Sequence, residues 1–322
     1  MGAADVVPEM NRPESWTAVL EALYADSWNA ALGRFRSPFA FRGLGRADHV
    51  MSSSLFRLAA GADTRRLEMA LLRNFRKYAH VERSGADSIW DWLALGQHRG
   101  LPTRLLDWTY SPLVALHFAT EDPAEYGQDG AVWCVNFVEA NRQLPARLRR
   151  IMQHEGSETV TVDMLSSFRS LEAFDKLAPA PFLVFLEPPA IDRRILNQFA
   201  LFSLMSTPTA SMDDWLHDHP HLCRRVIVPK ELKWEIRDKL DQANVNERVL
   251  FPDLDGLSRW LTRYYLPPPN ASHGRASRSR ARATIDRHDH AALVDAGDRD
   301  RAAGRTRRAA PRSSPRTRPR TE

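Results

Sequence analysis

Residues Trp92 to Ala119, WLALGQHRGLPTRLLDWTYSPLVALHFA, set Gln97, His98, Arg104, Asp107, Trp108 and Thr109 between two strongly apolar helical phases. A buried polar group without a partner costs about 1–3 kcal/mol. A chain that crowds this many between two core helices must pair them with one another or turn them toward a cavity. The segment is therefore either a structural polar knot or the wall of a site. Gly100-Leu101-Pro102 stops the first helix, while Ser111-Pro112 supplies an N-cap and a proline at N1 for the second.

Around this segment the pattern is helix-rich first and strand-rich later. Trp16 to Leu32 is amphipathic behind a Ser15 cap, and Arg34 to Gly43 alternates aromatic and polar residues as a strand interrupted at Pro38. Helical spacing then runs from Asp63 to about Val81 and from Ile89 to His98. Strands are expected at Gly130–Phe137, Pro181–Leu186, Leu201–Met205 and Cys223–Val228. Helices are expected at Glu139–Gln153, Ile191–Gln198, Lys230–Asn244 and Gly256–Tyr264. Without regular βαβ alternation, the expected class is α+β: one compact domain with a small mixed or antiparallel sheet.

Charge is unevenly distributed. From Pro267 to Glu322 there are 14 Arg, no Lys and 6 acids, a net of +8, which leaves the first 266 residues at about −3. The organisation expected is a flexible lead-in over 1–13, a folded domain over 14–266 and a disordered Arg-rich tail over 267–322. Basicity thus belongs to the tail, and nucleic acid is a candidate partner only through it. No apolar run approaches the roughly 18 residues of a membrane span, and the start lacks the cationic and apolar regions of a secretory signal. A cytoplasmic setting without membrane contact is the default expectation. Cys134 and Cys223, in strand-like contexts without metal-type spacing, are expected to be reduced core thiols.

No metal site is expected. His217, His219 and His221 cluster, but Pro220 interrupts them and the spacing matches no established ligand pattern. Walker, GxGxxG, HExxH and GxSxG motifs are absent. His98 and Asp107 would make a base and its orienter if folding joined them; otherwise His98 is a helix-terminal histidine bonded to a carbonyl.

With Phe41-Arg42-Gly43 and Ser54-Leu55-Phe56-Arg57 upstream and FPDLDGLSRWL at Phe251–Leu261 downstream, the chain resembles the FRG domain family over most of Arg36 to Leu261. The resemblance places it in a bacterial family and suggests a toxin or defence setting. A weaker similarity links the Arg42 strand and the Asp107–Ala119 segment to ADP-ribosyltransferases. That similarity implies NAD as a substrate, and no other cofactor. It assigns Arg42 to the phosphates and Thr109 with Ser111 to the nicotinamide pocket. Gln198 would face the ribose, Glu187 being a poorer candidate, and His98 with Asp107 would organise the floor. Arg57 and Arg104 would line the same anionic-ligand pocket, and Trp108 or Trp92 would stack on a flat ring. Two alternatives stand beside this: a non-catalytic sensor or interaction module using the same cleft, and a scaffold in which Arg42 pairs with Asp107 among core tryptophans.

Overall fold

The computed structural model describes residues 9–59, 61–79 and 88–265. The chain divides into two units, Met1–Tyr265 and Leu266–Glu322. The second unit, with the Arg-rich segment, and the expected end of the Asp63 helix near Val81 lie outside the described residues.

The first unit is α+β. Its strands are β1 (Glu9–Asn11), β2 (Trp28–Asn29), β3 (Arg34–Phe35), β4 (Phe39–Leu44), β5 (Leu105–Thr109) and β6 (Gly130–Asn136), then β7 (Val160–Thr161), β8 (Leu183–Glu187), β9 (Ala200–Met205) and β10 (Cys223–Val228). The two short strands β2 and β3 make a separate pair; the other eight form one sheet in the order β1-β10-β6-β4-β5-β9-β8-β7. The sheet is mixed, as expected, with β1–β10 and β7–β8 parallel and the remaining neighbours antiparallel. It is not small, because two of its central strands come from the half of the chain expected to be mostly helical. Glu9–Asn11, inside the expected flexible lead-in, pairs as the edge strand β1.

The helices of the first half are α1 (Trp16–Tyr24), α2 (Ser54–Ala59), α3 (Thr64–Tyr78), α4 (Ile89–His98) and α5 (Pro112–Ala119). Next come α6 (Phe137–Arg142), α7 (Ala146–Glu155), α8 (Val162–Leu165), α9 (Leu171–Asp175) and α10 (Arg193–Asn197). The last are α11 (Met212–His217), α12 (Lys233–Gln242), α13 (Glu247–Leu250) and α14 (Leu254–Tyr264). Where a long helix was expected from Trp16 to Leu32, α1 stops at Tyr24 and Asp26 turns the chain at φ 56°. Asp tolerates this left-handed conformation better than most side chains. The expected Glu139–Gln153 helix breaks into α6 and α7 at Pro145, whose ring nitrogen has no proton to continue the ladder.

Three apolar clusters show how the sheet is covered. On one face, Phe39 and Phe41 of β4 join β6 and β10 residues under α1, α5 and α12. Also on that side, Leu105 of β5 joins β8 and β9 residues under α4, α7, α8 and α9. The opposite face is continuous: Ala40, Leu106, Trp108, Phe185 and Leu201 share one cluster that includes α6 and α11 residues. The first face is thus divided at the β4–β5 seam. Cys134 and Cys223 are buried free thiols in β6 and β10, as expected.

α5 lies against β4 more closely than a side chain permits. A Cβ built on Gly43 would meet the Ala115 carbonyl oxygen at 1.9 Å and the Ala119 nitrogen at 2.6 Å. Only glycine fits where the two backbones touch.

A buried ionic cluster meets the same C-terminal half of α5, where Arg237 reaches His117. Glu247 accepts from Arg237 Nη2 at 2.9 Å and from Arg263 Nε and Nη2 at 2.7 and 2.8 Å, while Arg263 also pairs with Asp241. Burial pushes the Glu247 carboxyl up, but the two guanidinium groups outweigh it and hold the group down at about 2. A depressed folded pKa contributes stability that is present above the unfolded value near 4.5 and is lost as pH falls toward 2. Glu247→Gln is therefore expected to be less stable at neutral pH and to lose less on acidification across that window. Chemical denaturation of both proteins from pH 6 to 2 checks it; parallel stability profiles would refute it.

Candidate functional site

β4 and β5 are neighbours in the sheet, yet they share a single registered pair, Phe41↔Thr109. β4 makes six pairs with β6 on its other side, and β5 makes five with β9. Beyond Phe41 the two strands separate, and a cleft of about 410 Å³ opens between them. Its floor is formed by Arg42–Gly45 and Asp107–Thr109. The end of α4 with α10 makes one wall, and Phe118 with Glu121, Asp122 and Glu125 makes the other. Of the residues selected from the sequence, Arg42, His98, Asp107, Trp108, Thr109 and Gln198 all line this cleft; Arg57, Arg104 and Ser111 do not.

Arg42 is the cation at the split. Its Nη1 donates to the backbone carbonyl of Asp107, across the gap where a strand–strand bond would otherwise lie. Its Nε is buried with no partner, and the guanidinium makes no ion pair among the described residues. Burial pulls the Arg42 pKa down, the nearby charge of Asp107 opposes that, and Arg57 adds repulsion. An arginine remains charged under such pressure, so the cleft contains a desolvated cation held by a carbonyl and not by a carboxylate. The scaffold alternative, in which Arg42 is neutralised by the Asp107 side chain, does not describe this arrangement.

The Asp107 carboxylate turns outward and is held by Gln97, whose Nε2 donates to Oδ2 at 2.9 Å. Gln97 is in turn fixed by Thr103, whose hydroxyl donates to its Oε1. His98 does not meet Asp107. Its Nε2 lies 2.6 Å from Asp192 Oδ2, and Asp192 also caps α10 by accepting from the Arg194 and Ile195 amides. Its desolvation raises the Asp192 pKa, and His98 with those amides brings it below the ordinary carboxylate value. The pair therefore locks the end of α4 to the start of α10. Thr109 donates to the Gln198 carbonyl at 2.7 Å and accepts from the Ser111 amide, so β5, α10 and α5 converge on one hydroxyl. The Gln198 side chain donates to the Leu250 carbonyl at 3.0 Å. Phe199, between two cleft residues, sits at φ 48° and is exposed, a strained conformation for a bulky residue.

Several expected ligand contacts are corrected. Trp108 points into the continuous core, donating to Ser203 Oγ at 2.7 Å and packing edge-on to Phe185, so its ring is no stacking platform. Trp92 is likewise buried, against Phe75. Arg104 is a core arginine bound by Glu68 and Asp175. Arg57 is exposed and donates to the Ser52 carbonyl; only its charge reaches Arg42. Ser111 caps α5 by accepting from Val114. Glu187 accepts from the Tyr110 hydroxyl at 2.8 Å and does not line the cleft. In the histidine cluster, His219 stacks on Trp215, and no group of three or more potential metal ligands occurs among the described residues.

Residues not foreseen include Arg194, Glu121, Asp122 and Glu125 on the walls. Lys233 is fully buried, and its Nζ donates to the Gly45 and Glu125 carbonyls at 2.7 and 2.8 Å, tying two rims together. In sequence these residues look like ordinary charges beyond a helix end. Only the adjacency of Glu121 to the recognised Ala119 terminus could have drawn attention to them.

Among the described residues, no helix is long and apolar enough to cross a membrane. No curated protein and no solved structure matches the chain. The family model described as FRG domain matches residues 37–128, a span that covers β4, α2 to α5 and β5 but not the FPDLDGLSRWL segment. The chain therefore carries an FRG domain, and that domain supplies the floor of the cleft.

Proposed function

We propose that the cleft binds a nucleotide, that NAD is its substrate, and that the bond broken joins nicotinamide to ribose. The observation that carries this reading is Arg42: a desolvated guanidinium with a buried, unpartnered Nε at a split in the sheet. Such a group gains most from a phosphate, whose oxygens match the guanidinium fork. The cleft volume lies within the range of small-molecule sites. Its lining is mixed, with Arg42 and Arg194 facing Asp107, Glu121, Asp122 and Glu125. A ligand that is anionic at its pyrophosphate and cationic at its pyridinium suits both signs better than a simple anion does. Departure of nicotinamide leaves positive charge on the ribose, and the Asp107 carboxylate, fixed by Gln97, is a preorganised counter-charge for it.

The test is nicotinamide release from NAD by the full chain. The parent protein is expected to release it, and Arg42→Ala to lower affinity for NAD about 10- to 150-fold, as expected for losing a charged hydrogen-bonding group. Asp107→Asn is expected to bind NAD normally and release little nicotinamide. Binding without release by the parent would support a sensor that uses the same cleft. Failure to bind NAD at all would overturn the reading.

A further inference from the structure

Behind the acidic wall stands a histidine that the proposed chemistry has not yet used. His117, in α5, is completely buried. Arg237 Nη1 lies 2.8 Å from its Nδ1. Arginine can only donate, so Nδ1 is the acceptor and the ring proton must sit on Nε2. That Nε2 is buried without a hydrogen-bond partner, and the acid ahead of it is Glu121, whose Oε2 lies 3.8 Å away. At that separation the two groups are not hydrogen-bonded, and a small rotation of the partly open Glu121 side chain would bring its oxygen onto the Nε2 proton. Burial with the charge of Arg237 pulls the His117 pKa down to about 3, so the ring is neutral at any ordinary pH and its tautomer does not change.

Glu121 keeps 40% of its side chain open, on a wall of the cleft. Desolvation raises its pKa to about 7. The groups facing it are Asp122 beside it, Arg237 on α12, Glu247 on α13 and Arg259 on α14; the two arginines lower the pKa, and the two acids raise it. A carboxylate poised near neutrality is suited to accept and return a proton.

We infer that Glu121 is the proton-accepting group of the cleft and that His117, fixed from behind by Arg237, is its positioning residue. The inference rests on the reading that the cleft cleaves NAD. In the step it assigns, water gives a proton to the Glu121 carboxylate and its oxygen bonds to the ribose C1′. The C1′–nitrogen bond breaks with its electron pair going to the pyridinium nitrogen, and nicotinamide leaves neutral.

The experiment pairs calorimetric NAD binding with nicotinamide release for the full chain, Glu121→Gln and His117→Asn. Glu121→Gln is expected to bind NAD within threefold of the parent and to release nicotinamide at least 100-fold more slowly. The parent's release is expected to rise with pH through about 7. His117→Asn places an oxygen where Nδ1 accepted from Arg237 and nothing at Nε2. Loss of the Nε2 proton, which an ionised Glu121 would turn to accept, disfavours the carboxylate, so the rise should move to higher pH while binding is kept. A Glu121→Gln variant that releases nicotinamide within threefold of the parent would overturn the inference and leave the cleft's function intact. So would an unchanged pH profile in a folded His117→Asn. A parent that binds no NAD would instead remove the reading on which the inference rests, and binding distinguishes the two failures.

Discussion

Gly43→Ala is expected to destabilise the folded unit by about 3 kcal/mol or more, the upper part of the range for overpacking. The methyl group would have to occupy space 1.9 Å from the Ala115 carbonyl oxygen and 2.6 Å from the Ala119 nitrogen. Both are backbone atoms of α5, so no side-chain rotation relieves the clash. Either α5 lifts off β4 or the strand shifts, and both movements alter the floor and the Glu121 wall together. For a unit of this size, 3 kcal/mol corresponds to a fall in Tm of roughly 6–12 °C. Thermal unfolding followed by circular dichroism measures it. A variant that melts within 2 °C of the parent, on the order of 0.5 kcal/mol, would show that the strand–helix contact yields easily. The glycine of the Phe41-Arg42-Gly43 motif is thus accounted for by packing, and the arginine by the cleft.

Arg104→Ala should cost about 3–5 kcal/mol, the penalty for removing one partner of a buried ion pair. Arg104 Nε donates to Glu68 Oε1 at 2.7 Å and Nη1 to Asp175 Oδ1 at 2.6 Å, with all three side chains nearly inaccessible. The substitution leaves two carboxylates facing each other in the core. Replacing all three residues together by Arg104→Met, Glu68→Leu and Asp175→Leu should recover most of that stability, since the cost lies mainly in the unpaired charges. Urea denaturation of the single and triple variants checks both statements. If the single variant lost less than about 1 kcal/mol, the cluster would be no more than a surface-type pair.

The contrast between Arg42 and Arg104 shows where the sequence was legible. Both lie in recognisable motifs, and both were expected in the ligand pocket. What separates them is the nature of their partners: a carbonyl for Arg42, two carboxylates from α3 and α9 for Arg104. Glu68 and Asp175 are distant in the chain from Arg104, and no local pattern reveals a contact of that range. Trp108 fails as a stacking group for a related reason. LLDWT alternates as a strand, so Trp108 and Asp107 face opposite sides, but the segment's polarity obscured the period. Asp107 and Thr109 were legible because a polar run between apolar helices must face something, whereas Arg42 and Gln198 were set beside them only by the resemblance to ADP-ribosyltransferases. The His98–Asp192 pair and the acidic wall were not, because they depend on how α10 and the turn after α5 close over the split sheet.

The central claim is that the split between β4 and β5 is a phosphate site anchored by Arg42. A crystal structure of the full chain with ADP-ribose tests it most directly. The account predicts a pyrophosphate oxygen within about 3 Å of the Arg42 guanidinium, with the ribose toward Asp107. Ligand bound elsewhere, or bound in the cleft with Arg42 turned away from its phosphates, would contradict it.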